Sequence, residues 1–187
     1  MKLERSFVIE APVEEVWRML IDVERVAPCL PGAEITERGD EDSYRGTFTV
    51  KLGPTTAAYR GKVEMVEADE GARRATLSAA GQDQRGQGSA RMTMVSTLHA
   101  VDEGTRVDVE TDFVIGGRLA RFGRGGMIED VSDRLLRDFS SCLQARMSSS
   151  EGAPAAAAKP IGGVSLFFSV LWRRIKRLFG GDRAARD

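Results

Sequence analysis

Few residues in this chain can move a proton, attack a bond or hold a metal. His99 is the only histidine. It alternates out of phase with Met94, Ser96 and Leu98, which places it on the wet side of a strand as a surface residue and not as a general base. Cys29 and Cys142 have no CxxC spacing, so two reduced, partly buried thiols are expected in place of a disulfide. There is no HExxH, no GxSxG, no phosphate-binding GxxxxGK[ST] and no glycine fingerprint opening a helix after a strand. The glycine-rich stretch Gly81–Gly88 joins two strands and reads as a hairpin turn. Carboxylates are plentiful, but the sequence brings no two of them together inside. The expectation is therefore no catalytic residue, no metal site and no enzymatic activity.

The chemistry that the chain does carry is adhesive. Between Gly163 and Gly180, the residues Val164, Phe167, Phe168, Leu171, Ile175, Leu178 and Phe179 recur at i, i+3, i+4 and i+7. Trp172 borders that face, and Arg173, Arg174, Lys176 and Arg177 cover the other side. The apolar run before Arg173 falls short of the ~20 residues that span a bilayer. Aromatics on one side and cations on the other suit a helix lying in an anionic membrane surface; a protein groove is the other surface such a helix fits. Residues 159–187 hold seven basic and two acidic side chains, a net +5 that leaves −6 for residues 1–158. An acidic body with a basic tail points to an anionic partner for the tail, and the overall charge of −1 predicts no nucleic-acid partner.

The elements that would position these residues are legible from periodicity. Residues 3–9 alternate as a strand, with Leu3, Phe7 and Ile9 against Glu4 and Ser6. Pro12 suits the start of a helix carrying Val13, Val16, Trp17, Leu20 and Ile21, and a second short helix covers about 23–30. Strands follow in which Tyr44 to Leu52, Ala57 to Met65, Ala75 to Ala79, Ala90 to Ala100 and Val107 to Ile115 each show an apolar face at every second residue. From about Arg118 to Met147 the period becomes helical, with Ile128, Val131, Leu135, Phe139 and Cys142 as its stripe. The layout is α+β, a curved antiparallel sheet gripping a long terminal helix. Residues 1–147 form this domain, and 148–162 form a flexible linker with a reach of about 20 Å. The membrane-binding helix covers 163–180, and 181–187 is a disordered tail. The N-terminus has no apolar signal-peptide core, so a cytoplasmic protein is expected.

Several inward strand positions are small: Gly46, Ala57, Gly61, Ala75, Ala79, Ala90, Ser96 and Thr111. Either they leave an elongated apolar cavity, or they accommodate sheet curvature and close helix approach. Gly123, Gly125 and Gly126 at the start of the terminal helix each cost about 1 kcal/mol relative to alanine. That segment is either a mobile gate over a cavity mouth or a tightly packed helix start.

The chain resembles the CoxG family, the branch of the START/SRPBCC superfamily typified by the CoxG subunit of carbon monoxide dehydrogenase. The resemblance rests on Phe7-Val-Ile-Glu-Ala-Pro-Val-Glu-Glu-Val-Trp17, Cys29-Leu-Pro-Gly-Ala33, Val50-Lys-Leu-Gly-Pro54, Tyr59-Arg-Gly61, Gly81–Gly88 and Gly116-Gly-Arg-Leu-Ala-Arg-Phe-Gly123. It implies a helix-grip fold with a deep apolar cavity, and an accessory role beside an aerobic molybdenum carbon monoxide dehydrogenase. It further implies a respiratory quinone, menaquinone, as the carried ligand and a station on the inner face of the cell membrane. On that reading Tyr44, Phe48, Tyr59, Met92, Met94, Phe113, Leu119, Phe122 and Met127 surround the quinone. Trp17, Leu30 and Pro31 help form the mouth, and Ser96, Thr111 or a tyrosine hydroxyl meets the headgroup. A structural membrane recruiter without ligand transfer, and a cyclase-type enzyme using the same cavity, are the alternatives.

Overall fold

Alternation with period two fixes which residues of a strand share a face, and register decides which faces join. The computed structural model describes residues 1–40, 42–118, 120 and 126–149. It contains β1 (Lys2–Ile9), α1 (Val13–Leu20), α2 (Val23–Val26), a 3-10 turn (Ala27–Cys29), β2 (Ala33–Arg38), β3 (Ser43–Leu52), β4 (Thr55–Asp69), β5 (Arg74–Asp83), β6 (Ser89–Val101), β7 (Gly104–Ile115) and α3 (Met127–Ser148). The strands form one antiparallel sheet in the order β1-β7-β6-β5-β4-β3-β2. This is the expected α+β helix-grip layout, with β2 added at one edge. Its short alternation is interrupted by a register shift between Ile35 and Glu37, which hides it from a reading by period.

Pro12 stands immediately before α1 with φ −59° and ψ 144°, as its fixed φ allows. Asp22 caps α2 by accepting from the Arg25 N–H at 3.1 Å. The terminal helix begins at Met127, not near Arg118. Gly126 precedes it at φ 77°, a left-handed conformation that glycine adopts without steric cost.

Curvature has a local cause in β3 and β4. A register shift falls between Met65 and Glu67. A Cβ built on Gly46 would lie 2.3 Å from the Glu34 carbonyl oxygen, and one on Gly61 2.0 Å from that of Ala80. Glycine at these two positions therefore serves close backbone approach and not cavity space.

The apolar interior divides into two bodies. One gathers Ile9, Val16, Trp17, Met19, Leu98, Val107 and Leu143, with Phe7 and Phe139 edge to face at 6.2 Å between ring centroids. The other gathers Leu52, Ala57, Tyr59 and Ile128, with Phe48, Phe113, Met127 and Val131 packed on it. The backbone of α3 comes near β1 on one flank of the sheet, and near the 3-10 turn and β3 on the other.

The cysteines overturn one expectation. Cys29 and Cys142 are joined in a disulfide, their Cα atoms 5.4 Å apart, which ties the 3-10 turn to α3. They are 113 residues apart in sequence, and only the return of α3 beside the turn brings them together.

Candidate functional site

The register of the sheet lines inward side chains up in rows. One row runs Tyr44, Val63, Ala79, Met92, Phe113 across β3 to β7. The next runs Met65, Leu77, Met94, Thr111 and ends on Leu3 of β1. The outer members of these rows belong to the two core bodies or are buried, Tyr44 at 6% exposure. Their middle members, Val63, Leu77, Ala79, Met92, Met94 and Thr111, belong to neither body and are only half-buried. On the helix side, Leu135 lies one turn from Val131 of one body and one turn from Phe139 of the other, and is half-buried as well. Apolar side chains at the centre of an inner face would otherwise pack to interior density. Between the two core bodies the inner face thus carries a half-buried apolar slot, with thioethers and a hydroxyl on its floor.

Several of the residues expected to surround a ligand fall on that slot or its rims. Met92, Met94 and Thr111 lie on its floor, and Ser96 stands in the next row, opposite Ala75 and Val109. Tyr44 and Phe113 sit at the two ends of the first row, while Phe48, Tyr59 and Met127 pack in the second core body. Leu30 and Pro31 are half-buried beyond the 3-10 turn. Trp17 is 2% exposed inside the first core body. Leu119 and Phe122, the glycine segment 123–125 and the whole stretch 164–179 expected to bind a membrane lie outside the described residues.

A reading by apolarity passes over Arg5, although the β1 alternation points it inward with Leu3, Phe7 and Ile9. It forms an ion pair with Asp133 of α3, and its Nη1 donates to the Glu4 carbonyl oxygen at 2.9 Å. A charge at an inward strand position is the signal in the sequence that marks it.

The end of the sheet near the start of α3 is braced by hydrogen bonds. The buried Asp83 carboxylate accepts from the Arg85 and Gln87 N–H groups, each at 3.0 Å. The Arg118 N–H donates to the Gln87 carbonyl at 2.9 Å, and that of Gly116 to the Ser89 carbonyl at 2.8 Å. Gly53 in the β3–β4 turn lies against Met127, whose Cε would be 3.6 Å from an added Cβ. Burial raises the Tyr59 phenol above its ordinary pKa, and the Asp83 charge adds to the effect. Burial does the same at Tyr44, opposed by Arg38, which also stacks its guanidinium 5.9 Å from that ring's centroid.

Groups for acid–base chemistry are sparse on the slot. His99 lies on the outer face, 3.3 Å from Asp108. Among the described residues no three His, Cys, Asp or Glu side chains are placed to hold a metal ion. None of the described helices is long and apolar enough to cross a membrane.

Comparison with solved structures places the fold. A conserved protein of Geobacillus kaustophilus is 23% identical with a TM-score of 0.68, over 79% of this chain and 95% of that one. The Zhui aromatase/cyclase of Streptomyces sp. R1128 is 18% identical with a TM-score of 0.55, over 82% of this chain and 99% of its own. A protein of Thermus thermophilus matches at 18% identity and a TM-score of 0.55, over 80% of this chain and 100% of its own. No curated protein matches the sequence significantly. The family model for CoxG, a subunit of carbon monoxide dehydrogenase, matches residues 6–148. With the matched stretch covering the second half of β1, the six other strands, both short helices and α3, the chain belongs to the CoxG family of carbon monoxide dehydrogenase subunits.

Proposed function

We propose that this chain is a membrane-associated accessory protein that carries a respiratory quinone, menaquinone, between the inner face of the cell membrane and an aerobic molybdenum carbon monoxide dehydrogenase. The observation that carries the reading is the pair of half-buried apolar row centres, Val63, Ala79 and Met92 in one and Leu77 and Met94 in the next, between the two core bodies. A long isoprenoid gains about 25 cal/mol for each Å² of apolar surface removed from water, so a slot of this character favours its chain strongly. Its ring requires only one or two hydrogen bonds, which Thr111, Ser96 or the Tyr44 hydroxyl can offer. Family membership supports the partner. The amphipathic stretch 163–180 supports the membrane station, since its apolar and cationic sides match the acyl and headgroup layers of an anionic leaflet.

The test is native mass spectrometry of the full chain from a quinone-producing host, with solvent extraction and ultraviolet spectra of the extract. A stoichiometric quinone is the expected result. A ligand-free protein that takes up no added menaquinone would overturn the carrier reading and leave a recruiter that works through its tail alone. Turnover of a cyclisable substrate, lost on replacing Tyr44 or Tyr59, would replace it with an enzyme.

A further inference from the structure

Arg5 and Asp133 stand at the level of the slot, not at its ends. On β1, Leu3 packs in one core body and Phe7 in the other, and Arg5 points inward between them. On α3, Val131 packs in the first of these bodies and Phe139 in the second, and Asp133 lies between them. In register Arg5 faces Val109, whose same-face neighbour on β7 is Thr111 on the slot floor. The guanidinium binds Asp133 through Nε and the Glu4 carbonyl through Nη1. Among the described residues, Nη2 of Arg5 and the second carboxylate oxygen of Asp133 have no hydrogen-bond partner. The side chains keep 32% and 41% of their surface accessible, so neither is sealed into the core.

A half-exposed ion pair on an inner face is a weak stabiliser, because solvent screens the attraction and partial desolvation opposes it. A binding role gives these two residues a reason to be there. The geometry points to the Arg5–Asp133 pair as the headgroup subsite of the slot, taking a ring that bears oxygen in either of two oxidation states. This rests on the carrier reading above. A carbonyl oxygen of the oxidised ring accepts from the guanidinium, which has donors in excess of its present bonds. A hydroxyl of the reduced ring donates to the carboxylate, which has acceptor sites in excess. One pair thus holds both forms of a redox carrier's ring without rearranging the slot, and no electron need be exchanged with the protein.

The test is a binding titration of the full chain with menaquinone-4, with the same compound kept reduced under anaerobic dithionite, and with squalene as an isoprenoid that has no ring. Arg5→Gln is expected to weaken the quinone by about tenfold while leaving squalene binding unchanged. Asp133→Asn is expected to weaken the quinol more than the quinone. Arg5→Lys keeps the charge, loses the planar fork and should fall between wild type and Arg5→Gln, which guards against a variant that merely misfolds. Equal losses for squalene and quinone, or no loss for either ring form, would overturn the subsite and leave the carrier reading standing. A wild-type chain that binds neither ring form would overturn both.

Discussion

Gly46 pairs with Gly61 across β3 and β4, and neither has room for a Cβ. A methyl group at Gly61 would have to displace the Ala80 carbonyl oxygen of the neighbouring strand, which is backbone and gives little. Gly61→Ala should therefore lower stability by more than about 1 kcal/mol, read as a shift of the denaturant midpoint. An unchanged midpoint would show that the strands can part at no cost. It follows that Gly61→Leu is no probe of the cavity, since its side chain meets the sheet before it meets any ligand.

Ala79 is the better probe. It sits mid-row between Val63 and Met92, half-buried and outside both core bodies. In a filled core, Ala79→Leu would overpack and cost about 1–3 kcal/mol. Over an open slot it should leave the melting temperature nearly unchanged and reduce menaquinone-4 affinity about tenfold. Calorimetry of unfolding and a binding titration on the same variant separate the two cases.

The pH dependence at alkaline pH should report both tyrosines in the phenolate absorbance, and Tyr44 and Tyr59 are the only two in the chain. Burial raises each above the ordinary 10.0, and Asp83 adds to this at Tyr59. The folded state thus keeps protons that the unfolded state gives up. The stability this contributes is fully present below pH 10.0 and is lost as the pH rises through the folded-state values. The phenolate absorbance of the native protein should accordingly appear at higher pH than that of the chain in denaturant. Coincident titrations would contradict the burial of both rings.

The Cys29–Cys142 bond joins residues 113 apart in sequence, and its reduction should lower stability by up to about 4 kcal/mol. Air-oxidised protein should therefore melt well above the same protein in dithiothreitol. Cytoplasmic thiols are kept reduced, so alkylation during lysis of the native host should trap both cysteines as free thiols if the chain works there. A disulfide surviving that treatment would place the protein in an oxidising compartment.

Deleting residues 161–187 should leave a folded domain, since the sheet and α3 lie wholly within residues 1–149. That domain should no longer sediment with anionic liposomes. Equal sedimentation with and without the segment would remove the membrane role from the amphipathic stretch.

Much of this architecture is legible in the sequence because a strand's period is two: the phase of Met92, Met94 and Thr111 places them on the same side as Val63 and Ala79 before any coordinates exist. What is not legible follows from distance or from backbone. The disulfide joins residues that only tertiary folding brings together, and β2 is disguised by its register shift. Gly46 and Gly61 look like cavity makers in sequence, yet their reason is a carbonyl oxygen on the next strand. Arg5 escapes because a reading that gathers apolar residues skips a cation, although its phase with Leu3 and Phe7 points inward. The start of α3 reads too early because the stripe from Ile128 to Cys142 fixes the period and not the first turn, whereas the helix begins at Met127 after Gly126 at φ 77°.

A ligand held in the slot between the two core bodies must touch the methionine methyl groups there. The chain has seven methionines; Met92 and Met94 lie on the slot floor, whereas Met19 is 6% exposed within the first core body. Methyl-labelled protein titrated with menaquinone-4 should show saturable shifts at Met92 and Met94 and none at Met19. Shifts confined to surface methyls such as that of Met1, or no saturable shift at all, would contradict a ligand in the slot.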